Sequence, residues 1–261
     1  MKNKLFSVLS VLLLTVFLFT GCDKSEDNPL NPGGGGNNNT SGNNSGQPIP
    51  TIAGTDGIMA TIGFSFSVPG MPISVDYVMG YALFGLPNGV NAGAVSVNSN
   101  NLPVATQNGM TYYNSFSQTS PASLSNVSFN GTQTHSWTVA GGNGVPAIND
   151  GIVSPNTFTI TAPAANATVT KSNDMNITWT NTTTNDSVMI VLVSLAGGNP
   201  YISSIVSNNG SFTVPAASMS AMSAGDAMLQ VVKFRYKIVA SGGKNYAIIS
   251  EIVKTANIKL Q

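Results

Sequence analysis

Cysteine is nearly absent from this sequence: 261 residues contain one, Cys22. A single cysteine rules out a disulfide within the chain, so any folded unit must stand on its hydrophobic core alone. Histidine is equally scarce. With His135 the sole imidazole, a multi-histidine metal centre is excluded, and no cofactor is expected. Charge is thin, at 8% of residues against ~25% in an ordinary soluble domain. Between Lys24 and Lys171 there is no Lys or Arg. Neither half therefore carries the dense basic surface that neutralising phosphates requires, and nucleic acid is not expected as a partner. Acid chemistry is poorly supplied too. Past the linker the only Glu is Glu251, within a run of Ile and Val, and Asp150, Asp174, Asp186 and Asp226 sit beside Asn, Gly or Ser. Those are turn positions, whereas glycoside hydrolysis needs two carboxyls converging on one sugar. Asn173-Asp174 and Asn185-Asp186 offer oxygens of the kind calcium takes, though plain turn roles explain them as well. No Gly-x-Ser-x-Gly elbow occurs, and a serine triad needs one histidine held by an acid.

What is present begins with an export signal. Lys2 and Lys4 precede an apolar run from Leu5 to Phe19, too short to span a bilayer, which takes ~20 apolar residues. The run ends in Leu18-Phe19-Thr20-Gly21-Cys22. This stretch resembles the lipobox of bacterial lipoproteins, with Phe19 standing where that pattern prefers Leu. The resemblance implies that residues 1–21 are removed and that Cys22 is acylated. Two or more acyl chains hold a protein stably on a membrane, each buried methylene contributing ~0.8 kcal/mol. The acidic cluster Asp23-Lys24-Ser25-Glu26-Asp27 resembles the signal that sends Bacteroidota-type lipoproteins to the outer surface. Residues 28–50 are almost wholly Asn, Gly, Ser, Thr, Gln and Pro, a composition that cannot offset its ordering entropy by burial. Residues 22–50 thus read as a lipidated tether spanning roughly 30 Å as a flexible coil.

The remainder reads as all-β. Ile58 to Val68 alternates, with Ile62, Phe64, Phe66 and Val68 on one parity, and Ile73 to Phe84 follows after Pro69-Gly70. Further short strands are expected near 92–97, 102–105, 109–113 and 134–139, with no sustained helical periodicity. Ser154-Pro155-Asn156 marks a joint, since Pro disfavours a continuous strand. Two β-sandwich domains are expected, 51–154 and 155–261, the second folding on its own, with Trp137 and Trp179 each in its own core. Val188 to Leu195 is apolar enough to be buried on both faces. Met228–Val239 and Tyr246–Val253 form a hairpin around Ser241 to Asn245. Lys233, Arg235 and Lys237 alternate on this hairpin and read as a solvated face on an edge strand.

Two resemblances bear on the body. Asn91 to Val97, His135 to Val139 and Gly144 to Ile148 are similar to an arrangement found in Bacteroidota-type lipoproteins, to which no activity is attached. Ile160-Thr161-Ala162-Pro163, Asn176 to Thr180, Ile190 to Val193 and Gly210 to Pro215 occur in an order that resembles the Ser/Thr-rich, Ig-like domain of cell-wall-anchored surface proteins. That resemblance covers 156–261 and implies a fibronectin-like spacer or binding module; the stretch Ser218 to Gly225 departs from it. Asp186-Ser187-Val188 matches a short pattern for O-glycan attachment. Together these features imply a non-catalytic surface or periplasmic lipoprotein on the outer membrane. Its partners would be the membrane, through Cys22, and a polysaccharide or surface protein. The competing reading is a secreted hydrolase, or hydrolase accessory, using His135.

Overall fold

The computed structural model describes residues 47–67, 74–86, 88–107, 109–116 and 122–261. The signal segment, Cys22 and the tether up to Gly46 lie outside them. The described residues are all-β, with sandwich-type packing of three sheets and, among those residues, one single-turn helix, α1 (Ala216–Met219). The first half supplies β1 (Gly57–Ser67), β2 (Ser74–Phe84), β3 (Val95–Val97), β4 (Asn100–Asn101) and β5 (Val104–Gln107). It continues with β6 (Met110–Asn114), β7 (Thr134–Val139) and β8 (Ile148–Val153). The second half adds β9 (Ile160–Ala162), β10 (Thr168–Val169), β11 (Met175–Trp179), β12 (Ser187–Ser194) and β13 (Tyr201–Ile202). It ends with β14 (Val206–Ser207), β15 (Ser211–Val214), β16 (Gly225–Ser241) and β17 (Lys244–Leu260).

A ten-stranded sheet runs β13-β12-β16-β17-β1-β2-β6-β5, with β10 added on β17 and β14 on β12. The β16–β17 hairpin forms its spine, paired from Gly225↔Leu260 to Ser241↔Lys244. Gly242 and Gly243 close it with φ of +58° and +75°. A two-residue turn with both φ positive matches the strand twist, and glycine adopts it without strain. The hairpin is longer than its apolar pattern suggests, because polar residues at both ends continue the ladder.

Side chains of a strand alternate between faces, and β17 uses both. Ala247, Ile249 and Val253 join β1, β2, β12 and β16 residues on one face, with Ile49 and Ile52 packed into the same core. On the other face, Tyr246 and Ile248 pack with Val97, Trp137 and Ile152 of the four-stranded sheet β4-β3-β7-β8. Farther along that face, Ile252, Ala256, Ile258 and Leu260 pack with Met175, Ile177 and Trp179 of the three-stranded sheet β15-β11-β9. Trp137 and Trp179 are thus buried in separate cores.

The boundary at Ser154/Pro155 separates the two small sheets, but the large sheet runs through it. Tyr246 to Val253 of β17 pairs in parallel with Gly57 to Phe64 of β1. The physical reason is that this part of β17 is buried on both faces, so its backbone N–H and C=O groups need a strand on each edge and its side chains a cover on each side. The joint itself is stitched down: Asn130 bridges Asn156, and Thr157 N–H donates to the Phe129 carbonyl at 3.1 Å.

Candidate functional site

His135 projects from β7 onto the large sheet where the two small sheets meet. Thr61 and Ser250 are register partners on β1 and β17, so their hydroxyls lie side by side beneath the imidazole. Thr61 Oγ1 is 2.6 Å and Ser250 Oγ 3.0 Å from Nδ1. Nε2 lies 3.0 Å from the Ser128 carbonyl. A carbonyl only accepts, so Nε2 carries the proton and Nδ1 accepts from the hydroxyls. Phe129 stands edge-on to the ring, 5.0 Å between centroids. It also lies over Gly63, where a Cβ would come within 2.5 Å of the phenyl ring. Burial pushes the His135 pKa down, partly opposed by the Ser128 carbonyl.

In outline a serine bonded to a histidine is a nucleophile with its base. Here Thr61 competes for the same lone pair, and the second nitrogen faces a carbonyl rather than a carboxylate. His135, Thr61 and Ser250 are all fully buried. The arrangement pins β7 to β1 and β17 and leaves no approach for a substrate.

The second polar cluster corrects the reading of the basic stripe. β16 lies between β12 and β17, not at an edge of the sheet, as far as Phe234. Lys233 is fully buried. Its Nζ donates to the Asn181 carbonyl at 3.1 Å, sits over the Phe158 ring at 4.9 Å, and is 3.9 Å from Asp186 Oδ2. Arg235 Nε donates to Asp186 Oδ1 at 2.5 Å. Asp186, expected at a plain turn, is buried beneath both cations. Burial pushes the Lys233 ammonium down to about 8; Asp186 opposes this and Arg235 adds to it. Trp179 Nε1 donates to Asn208 Oδ1 at 2.6 Å, and Asn208 Nδ2 to the Asn181 carbonyl at 3.2 Å. The loop 181–186 is thereby locked between β11 and β16.

Only Lys237 of the stripe is solvated. It holds both oxygens of Asp150 at 2.7 Å, a bond that lowers the Asp150 pKa and ties β16 to β8 at the rim. Glu251 lies on the opposite face of β17, beside Ile62 and Phe234. It is fully buried, and neither carboxyl oxygen has a hydrogen-bond partner. Burial raises its pKa well above the ordinary carboxylate range, favouring the neutral acid.

The other candidates are absorbed by the fold. Asp174 Oδ1 accepts from Ala216 N–H at 2.8 Å, and Asp186 is committed to its cations. Among the described residues no group of three or more His, Cys, Asp or Glu could hold a metal ion. Ser187 is half-buried in β12, paired on one side with Phe234 and on the other with Ser207. That geometry does not present Asp186-Ser187-Val188 for glycan attachment, which needs an accessible loop. Four tyrosines could in principle stack on sugars, although Tyr in strands usually serves packing: Tyr112, Tyr113 and Tyr246 are buried packing residues, and Tyr201 keeps partial exposure. Sequence reasoning missed Thr61 and Ser250 as histidine partners. The available signal was a small hydroxyl residue at one inward position of each otherwise apolar strand.

No family model and no curated protein matches this sequence. Among solved structures, one similar chain is a tetra-tandem repeat from the extending region of a large adhesion protein. It shares 12% identity at a TM-score of 0.24, over 78% of this chain and 49% of that one. A second comes from work on host cell surface retention of a 1.5-MDa bacterial ice-binding adhesin. It shares 14% identity at a TM-score of 0.20, over 70% of this chain and 57% of that one. The chain spans about half the length of these structures, and at such TM-scores neither likeness carries a functional argument.

Proposed function

We propose that this chain is a non-catalytic binding or spacer module, held on the extracytoplasmic face of an outer membrane through acylated Cys22. The observation that carries the reading is the burial of its chemistry. The sole imidazole is sealed at a sheet junction with both nitrogens engaged, and the buried carboxylate Asp186 is spent on two cations. General acid–base catalysis requires such groups within reach of a substrate proton. The partners of the module are a polysaccharide or a surface protein, met by the loops and outer faces of the sheets.

The test has two parts. Cys22→Ser should move the full chain from the membrane to the soluble fraction; an unchanged distribution refutes the anchor. The soluble Cys22→Ser protein should show no turnover on glycoside, ester and peptide panels, and measurable retention on a glycan array or in a surface-protein pull-down. Turnover that disappears in His135→Ala, with the fold retained, favours the hydrolase instead.

A further inference from the structure

We propose that the β16–β17 hairpin is an axis of tension, carrying load between the tether at one pole of the body and contacts made at the opposite pole. The inference rests on the tethered reading above and adds a mechanical function to it.

The chain enters the large sheet beside the hairpin turn. Asp56 N–H donates to the Asn245 carbonyl at 2.7 Å, and Asn245 N–H returns to Asp56 Oδ2 at 2.9 Å. From there β1 runs parallel to β17 through eight registered positions, Gly57↔Tyr246 to Phe64↔Val253. β17 then continues to Leu260, opposite Gly225 at the start of β16. Seventeen residues of strand at ~3.3 Å each separate the poles by roughly 55 Å. At the far pole, Ser194 pairs with Ala227, and the loop beginning at Leu195 carries the most exposed large apolar side chain among the described residues, at 65%.

Direction decides the mechanical response. Tension on the tether reaches β1 at its Gly57 end, while a hold at the far pole pulls β17 toward Leu260. The two neighbours are parallel, so this load shears them, and all eight registered positions resist together. A load across the strands at the hairpin turn would instead open the same pairs one after another. Lateral support is in place where shear acts. β1 is buried on both faces from Gly57 to Phe64, His135 binds Thr61 and Ser250 across the sliding pair, and Phe129 covers Gly63. Ile49 and Ile52, packed into the core ahead of β1, release first.

Single-molecule force spectroscopy on the full chain tests this, in a Cys22→Ser background so that only introduced thiols react. Handles at Gln47→Cys and Gln261→Cys load the axis; handles at Gln47→Cys and Ser241→Cys, once Ile49 and Ile52 release, pull on Gly57 and on the turn at the same pole and peel it. Both proteins should first show the wild-type thermal melt. The axial pair should then unfold at a mean force at least about twofold above the peeling pair at equal pulling speed, since forced unfolding is governed by the unfolding barrier along the pulled direction. Equal forces, or a weaker axial response, overturn the proposal. Membrane fractionation of Cys22→Ser reports on the anchor separately, so failure of the tether and failure of the mechanical axis are distinguishable.

Discussion

Glu251→Met removes the least satisfied group in the core. The carboxyl is fully buried beside Ile62 and Phe234, with both oxygens unpartnered. Leaving a buried polar group unsatisfied costs about 1–3 kcal/mol. Methionine has a similar reach and is flexible enough to fill irregular space, so the variant is expected to be more stable by about that amount under acid conditions. The gain should grow with pH. In the unfolded chain Glu titrates near ~4.3, whereas burial raises the folded-state value. Between those two values the folded protein binds more protons than the unfolded one, so wild-type stability falls as pH rises. His135 contributes the opposite slope. Its folded pKa is lowered from about 6.5, so its contribution is intact above that value and lost as pH falls through the folded one. Both proteins carry His135, so the difference between them isolates Glu251. Urea unfolding from pH 4 to pH 8, followed by Trp137 and Trp179 fluorescence, measures that difference from the midpoints. A variant less stable than wild type, or a difference flat with pH, refutes the reasoning.

Asp186→Ala should cost about 3–5 kcal/mol, because it strands buried Lys233 beside Arg235; adding Lys233→Met should recover part of the loss in the same urea assay. Trp179→Ala should cost about 3–5 kcal/mol, with Asn208 left without its indole donor, and calorimetry should show the lowered Tm. Residues 156–261 expressed alone lose β1, leaving Tyr246 to Val253 without its parallel partner. Circular dichroism should show β-structure with a broad, low-temperature melt, and a sharp melt matching the full chain would contradict the shared-sheet account.

Alternation of apolar residues made the all-β class readable directly from the chain, the nearly continuous apolar run from Val188 made the doubly buried β12 readable, and the joint at Pro155 made the separate cores of Trp137 and Trp179 readable. Ser241-Gly242-Gly243-Lys244 announced the hairpin, because few other residues tolerate two successive positive φ values. The expectation of a lipid on Cys22 rests on local pattern alone, outside the described residues. Tertiary structure alone decided which strand lies beside β17, and therefore that the two halves share one sheet. It also decided that Lys233 and Asp186 are buried, that His135 meets Thr61 and Ser250, and that the Glu251 carboxyl meets no hydrogen-bond partner. The physical reason is the range of each interaction. Period-two patterning records which way a side chain points relative to its neighbours in sequence, and it puts Lys233 on the face opposite Val232 and Phe234. Burial depends on what packs above that face, and Phe158 and the Asn181 carbonyl arrive there from loops more than fifty residues away in the chain.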